Sequence, residues 1–229
     1  MLLHARSAVR AQDAIGAVPG ACGVVTGDLA SIAQTRAVAD QVNAHGLFDV
    51  VIHNAAVGFR ERARIVTEDG LAHVFAVNTL APYVLTALIT RPKRLIYVSS
   101  ELHRRGDPSL KDLNWADRSW RGNQAYSDSK LHIVLLSMAI ARLWPDVRSN
   151  ALEPGWVPTK MSGPRATGDL IAGSTTQVWL ATGDDVAARG TAGYFYHLQP
   201  RKPSGAVLDV ARQDRLLAAC RDLSGLALG

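Results

Sequence analysis

The chain alternates short, continuous apolar runs with longer segments in which apolar residues recur every three or four positions. A continuous apolar run suits a strand covered on both faces, and the longer period suits helices packed against it. The runs predict strands at Met1–His4, Gly23–Thr26, Val50–His53, Leu95–Ser99, Val147–Leu152 and Ala206–Leu208. Helices are predicted at Ser31–Ala44, capped by Ser31, at Thr67–Leu88 with a break near Pro82, at Tyr126–Leu143 ending before Pro145, and at Arg212–Leu223. Strands alternating with helices predict an α/β fold, a parallel sheet with helices on both faces. Two segments stand outside this alternation. Glu101–Ala125 is long, polar and rich in Gly, Asp and Trp, and Pro154–Gly173 carries Pro and Gly at intervals. Long loops in compact domains are often functional, and the second is expected to act as a mobile lid. No linker divides the chain, so residues 1–229 are expected to form a single domain.

Composition narrows the classes. With 229 residues, 48% of them hydrophobic, the chain can bury a core without disulfides. Cys22 and Cys220 lack metal-like spacing and suit a reducing cytoplasm, which is the expected location. The net charge of +5 is spread over scattered arginines, and the longest basic cluster is His103-Arg104-Arg105. Without interleaved aromatics this does not point to nucleic acid, whereas a mildly basic surface suits an anionic cofactor. No run approaches the ~18 apolar residues of a membrane span, so no membrane partner is expected. The start, Met1–Arg6, lacks the regions of a signal peptide. His4, His45, His53, His73, His103, His132 and His197 form no pair at metal spacing backed by carboxylates, and no catalytic metal is expected.

Candidate chemistry sits at the strand ends. Tyr126-Ser127-Asp128-Ser129-Lys130 opens a predicted helix, and positions four apart share a helix face. A nearby ammonium favours a phenolate, so Lys130 is expected to lower the Tyr126 pKa. Tyr-x-x-x-Lys alone is short, and a solvated helix pair is its commoner meaning. Ser99-Ser100 follows Leu95–Val98, at the strand edge where open α/β sheets bind ligands. One of these hydroxyls can face a substrate carbonyl while the other caps the next turn. His53-Asn54-Ala55-Ala56-Val57-Gly58 ends another strand in small residues, which allow a flat ligand close to the backbone. Asn78 lies within the apolar stretch Val74–Leu85 and needs partners, which a core position would also supply. Leu152-Glu153-Pro154-Gly155-Trp156-Val157-Pro158-Thr159 leaves a further strand through a turn stiffened by two prolines.

The order and spacing of these features carry more than each alone. Asn-Ala-Ala after one strand, Asn in the next helix, Ser-Ser after the next strand, Tyr-x-x-x-Lys, then Pro-Gly-x-x-x-Thr resembles the short-chain dehydrogenase/reductase family over nearly the whole chain. The resemblance implies a Rossmann-like doubly wound parallel sheet and NADP(H)-dependent oxidoreductase chemistry on a small carbonyl or alcohol. It implies that Tyr126 is the general acid in reduction, or base in oxidation. Lys130 would hold the nicotinamide ribose, and Ser100, rather than Ser99, would orient the carbonyl. Asn78 would position a water that relays protons to Lys130. Asn54 and Ala55 would line the adenosine side, with Ala56 in place of the usual Gly. Asp28, followed by Leu29, would touch adenine. Pro154, Gly155, Val157 and Thr159 would lie along the nicotinamide carboxamide. Arg6, after the first strand, would face the adenosine ribose, where a basic residue suits the 2′-phosphate of NADP. The loop Glu101–Ala125 and the Trp156/Trp179 region resemble members acting on bulky lipophilic carbonyls, and such members often form homodimers or homotetramers.

The family's first strand and its Thr-Gly-x-x-x-Gly-x-Gly turn, which cradles the pyrophosphate, do not occur in this sequence. Gly16 and Gly20 have neither the spacing nor a preceding strand. Three explanations stand open: a start upstream of Met1, a short chain that closes the gap by itself or with a second subunit, or a relative that no longer binds the cofactor normally. The last keeps alive a non-redox binding or regulatory protein, and a cofactor-free acid–base enzyme, as alternatives.

Overall fold

The computed structural model describes residues 1–163 and 165–229. Strand β1 (Leu2–Ala5) leads through α1 (Ala8–Ala17) to β2 (Gly23–Thr26), and α2 (Ile32–Ala44) leads to β3 (Val50–His53). A helical rod follows, made of α3 (His73–Phe75), a π turn (Ala76–Leu80) and α4 (Ala81–Leu88). Then come β4 (Arg94–Val98), a 3-10 turn (Glu101–Arg105), α5 (Gly122–Leu143), β5 (Arg148–Leu152), α6 (Leu170–Thr182), β6 (Tyr194–Tyr196), β7 (Gln199–Pro200), a 3-10 turn (Gly205–Leu208) and α7 (Val210–Ser224).

The strands form two sheets. β1 and β2 pair in parallel, while β3-β4-β5-β6 run parallel and β7 closes the edge antiparallel. Among the described residues no ladder joins β1 or β2 to β3. The gap falls where the missing family strand would lie. Leu2 and Val25 from one sheet and Val51 from the other share an apolar cluster with Val38 of α2 and Val77, Ala81 and Leu85 of the rod. Helices therefore bridge the sheets where backbone bonds do not. Ile52 of β3 is left 38% exposed, so water can reach that flank and satisfy its backbone groups.

β4 explains the continuous apolar pattern. Leu95 and Tyr97 pack with Leu131, Val134 and Leu135 of α5, whereas Ile96 and Val98 pack with Leu180 of α6. Helices thus cover both faces, and alternate residues each find a core. α7 buries Leu216 and Cys220 against the α5 side.

Several expectations need correction. Ala206–Leu208 is a 3-10 turn, not a strand: Ser204 caps it by accepting from the Ala206 N–H, and Val207 is buried as a plug. The final strands come earlier, at β6 and β7. Helices α1 and α6 were not anticipated, and α6 makes part of the expected lid regular from Leu170 onward; Pro164 in that lid lies outside the described residues. The rod begins at His73 rather than Thr67 and does not break at Pro82. Pro82 has no N–H to offer the Asn78 carbonyl, and the chain adopts a π turn there, whose bonds reach one residue further. Tyr126 lies one turn inside α5 rather than at its start.

Candidate active site

The carboxyl ends of β3, β4, β5 and β6 meet at one cleft of about 1200 Å³. Its walls include Asn54–Ala56 after β3, Ser99–Glu101 after β4, Glu153–Val157 after β5, and Tyr196. Tyr126 and Lys130 enter from α5. The backbone is shaped for this. Gly58 has φ +101°, and a Cβ there would lie 2.2 Å from Val74, so only glycine lets the turn after β3 fold back onto the rod. Gly155 has φ +82° and turns the chain away from β5 beside the Tyr196 ring.

Tyr126 is 8% exposed, its ring edge-on to Phe59, and its hydroxyl makes no hydrogen bond among the described residues. Lys130 is 4% exposed and donates from Nζ to the Val98 carbonyl at 2.9 Å. An ammonium has three N–H groups, so two remain free toward the cleft. The Nζ stands 5.4 Å from the Tyr126 ring centroid. The expected lowering of the Tyr126 pKa does not appear. Burial pushes the phenol up to about 12, while burial also brings Lys130 down to about 8. Lys130 is turned to a carbonyl, and desolvation outweighs its pull on the phenol.

Ser99 is spent: its hydroxyl donates to the Lys130 carbonyl at 2.9 Å and ties α5 to the end of β4. Ser100 caps the following 3-10 turn by accepting from the Leu102 N–H at 3.2 Å, which leaves its own hydrogen free. Asn78 lies behind the wall. Its Oδ1 accepts from the Val57 N–H at 2.8 Å, and its amide donates to the Val57 carbonyl at 2.9 Å and the Ser129 hydroxyl at 3.0 Å. Both amide hydrogens are thereby spent within the protein, and the side chain locks the turn after β3 onto α5.

The other named residues divide. Asn54, Ala55, Ala56, Pro154, Gly155, Val157 and Thr159 line the cleft. The Thr159 hydroxyl is 3.1 Å from that of Ser162. Arg6, Asp28 and Leu29 stand apart from it. Arg6 is exposed at the end of β1, Asp28 accepts from the Ala30 N–H at 2.9 Å, and Leu29 is buried in the cluster joining the sheets. Among the described residues no group of three or more His, Cys, Asp or Glu is placed to hold a metal ion.

Residues 3–190 match the family model described as Enoyl-(Acyl carrier protein) reductase. The chain is 40% identical over 231 residues to the short-chain dehydrogenase chry4 of Gibberella zeae, covering 99% of this chain and 88% of that protein. The chain belongs to the short-chain dehydrogenase/reductase family. Among solved structures, a protein from Mycobacterium paratuberculosis superposes with a TM-score of 0.82 at 25% identity, covering 100% of this chain and 85% of that one. A metagenomic blue fluorescent protein, solved in complex with NADPH, superposes with a TM-score of 0.65 at 22% identity, covering 85% and 84% of the two chains.

This short-chain dehydrogenase/reductase is thus an oxidoreductase with a Rossmann-type α/β fold. No helix among the described residues is long and apolar enough to cross a membrane. The cleft also holds groups that the motifs did not flag: Glu101 and Glu153 on the wall beside Ser100, and Arg104, Lys160 and Arg201 around them. Glu153 had a signal in the sequence. A carboxylate at the end of a buried strand, directly before Pro154-Gly155, must find a partner or a proton.

Proposed function

We propose that this oxidoreductase uses NADP(H) to interconvert a carbonyl compound and its alcohol, with Tyr126, Ser100 and Lys130 at the reacting end of the cleft. One observation carries the reading: a phenol, a hydroxyl and an ammonium, each with uncommitted hydrogens, line one cleft at the carboxyl edge of the sheet. The nicotinamide supplies or accepts the hydride when bound. The chain's own residues do the rest. At neutral pH the Tyr126 phenol is fully protonated, because burial holds its pKa near 12. That is the acid form reduction needs, and its hydrogen goes to the carbonyl oxygen as charge develops there. The Ser100 hydroxyl donates a second hydrogen bond to the same oxygen. Preorganised donors aimed at a developing oxyanion are among the largest sources of acceleration.

The residues present fit the nicotinamide half of the cofactor. The two free N–H groups of Lys130 suit ribose hydroxyls, the turn at Asn54–Ala56 offers close backbone approach, and Pro154–Thr159 faces them across the cleft. The choice of NADP rests on Arg6, exposed beyond β1, and on the NADPH in the blue fluorescent protein. Asn78 acts as a positioning residue through Val57 and Ser129.

Tyr126→Phe keeps the packing and removes the proton. We expect ketone reduction with NADPH to fall by roughly 10²- to 10⁴-fold, while circular dichroism and NADPH binding by calorimetry stay as in the parent. Near-parental turnover in this variant would overturn the assignment.

A further inference from the structure

Glu153 has no part in the chemistry above, yet it stands in the same cleft, only 8% exposed, at the end of β5. Glu101, directly after Ser100, lines the same wall. Two neighbouring carboxylates do not both ionise freely.

The surroundings determine how the proton is held. The Ser204 N–H donates to His103 Nε2 at 3.1 Å, so that nitrogen is bare and Nδ1 carries the hydrogen. Nδ1 donates it to the Ser100 carbonyl at 2.8 Å. Burial keeps this imidazole neutral by lowering its pKa. The Tyr194 hydroxyl, 3.2 Å from the same Nδ1, therefore cannot donate there, which leaves its hydrogen free. Arg104 sits 2.8 Å from the Glu101 carboxylate, forming an ion pair. Glu153 takes a proton at a pH well above the usual carboxylate range, driven first by burial and then by the neighbouring Glu101. The other charged or titratable groups facing this wall are Tyr126 and Lys130 from α5, Lys160 from the segment after β5, Tyr196 of β6 and Arg201 after β7.

We propose that Glu101 and Glu153 form a proton-sharing carboxyl pair that anchors a hydroxyl group of the substrate, so that the enzyme selects hydroxylated carbonyl compounds over their unhydroxylated counterparts. The inference rests on the carbonyl chemistry above for the substrate's other end. A pair holding one proton and one charge offers several acceptor lone pairs to an alcohol or phenol. A hydrogen bond to a charged acceptor, lost with the hydroxyl, is worth about 10- to 100-fold in affinity.

The test reads binding and titration rather than turnover, so its failure is separate from that of Tyr126. Glutamate labelled with ¹³C at the carboxyl is followed by NMR across pH in the whole chain. The Glu153 carboxyl is expected to titrate near neutrality, and Glu101→Gln to move its midpoint down by removing the neighbouring charge. Titration of Glu153 in the ordinary carboxylate range in the parent would overturn the pair. The same signals report binding of para-hydroxybenzylacetone and of benzylacetone. We expect at least about tenfold tighter binding of the hydroxylated ketone, with the preference lost in Glu153→Gln and in Glu101→Gln. Equal affinities in the parent, or a preference that survives both substitutions, would overturn the anchoring role.

Discussion

Single residues in this protein are governed by burial more than by charge. Tyr126 and Lys130 show it at the cleft, where desolvation moves each toward its neutral form. His53 and His132 show it in the core. His53 Nε2 lies 3.1 Å from the Thr86 hydroxyl, His132 Nδ1 lies 3.3 Å from that of Thr79, and burial brings both pKa values down to about 3 from 6.5. A depressed histidine pKa means that the unfolded chain binds protons which the folded chain refuses. Stability is therefore full above about 6.5 and is lost as pH falls toward 3. Glu153, held protonated, works the other way between 4.5 and about 7, but it is one group against two. We expect urea midpoints to fall as the buffer goes from pH 7.5 to pH 5, and His132→Gln to flatten that slope. A midpoint that is level or rises on acidification would contradict this account. The sequence exposed the residues of the site better than their states. Tyr126, Lys130 and Ser100 were legible because their spacing and strand ends are local. The direction of the Tyr126 shift was not, because it depends on how deeply the fold buries the phenol.

At the scale of elements, apolar runs marked β2 and β3 to the residue and β4 and β5 within one residue at each end. The same signal failed where burial is partial. In α6, Leu170, Ile171 and Val178 face outward, 55%, 76% and 57% exposed, so no clean apolar stripe marks the helix. In α1 only Ala11 is buried, so its one sequence mark is the N-cap Ser7. Ala206–Leu208 is too short a run for its period to distinguish strand from turn. The long loop before α5 is ordered by charge as well as by the packing of Trp115 and Trp120. Arg118 lies 3.6 Å over the Trp115 ring and bonds Asp128 of α5 at 2.7 Å, while Asp128 also accepts from Gln124 and from the Asp107 N–H. Asp128 is 2% exposed, so its removal strands these donors. We expect Asp128→Ala to cost about 2–3 kcal/mol and to open residues 106–121 to trypsin. An unchanged melting temperature and digestion pattern would show that Trp115, Asp107 and Asp112 hold Arg118 without it. On the far rim, Arg60 donates to the Ser162 carbonyl at 2.7 Å and latches the segment after β5 across the cleft mouth.

At the scale of the whole molecule, the binding edge is complete on one side of the gap and interrupted on the other. β3 to β6 bring Tyr126, Ser100 and Glu153 together, whereas Arg6 and Asp28 belong to the separate β1–β2 sheet. The sequence showed this division as a missing strand, because the apolar run and glycine spacing that would encode it do not occur. It could not show that α2 and the rod would still hold the two sheets through Val38, Ala81 and Leu85. The division predicts uneven protection. Amides of β4, paired on both sides, are expected to exchange with deuterium far more slowly than the outward amides of β1 and β3. Equal protection in β3 and β4 would show that the gap is closed in solution. The open flank of β3 also bears on handling. A row of unpaired N–H and C=O groups beside a half-exposed Ile52 is a template on which another chain can crystallise its own strand, as in the early steps of amyloid growth. Concentrated samples are accordingly expected to scatter light and bind thioflavin T over time, and Ile52→Lys, a gatekeeper charge at that flank, to slow both.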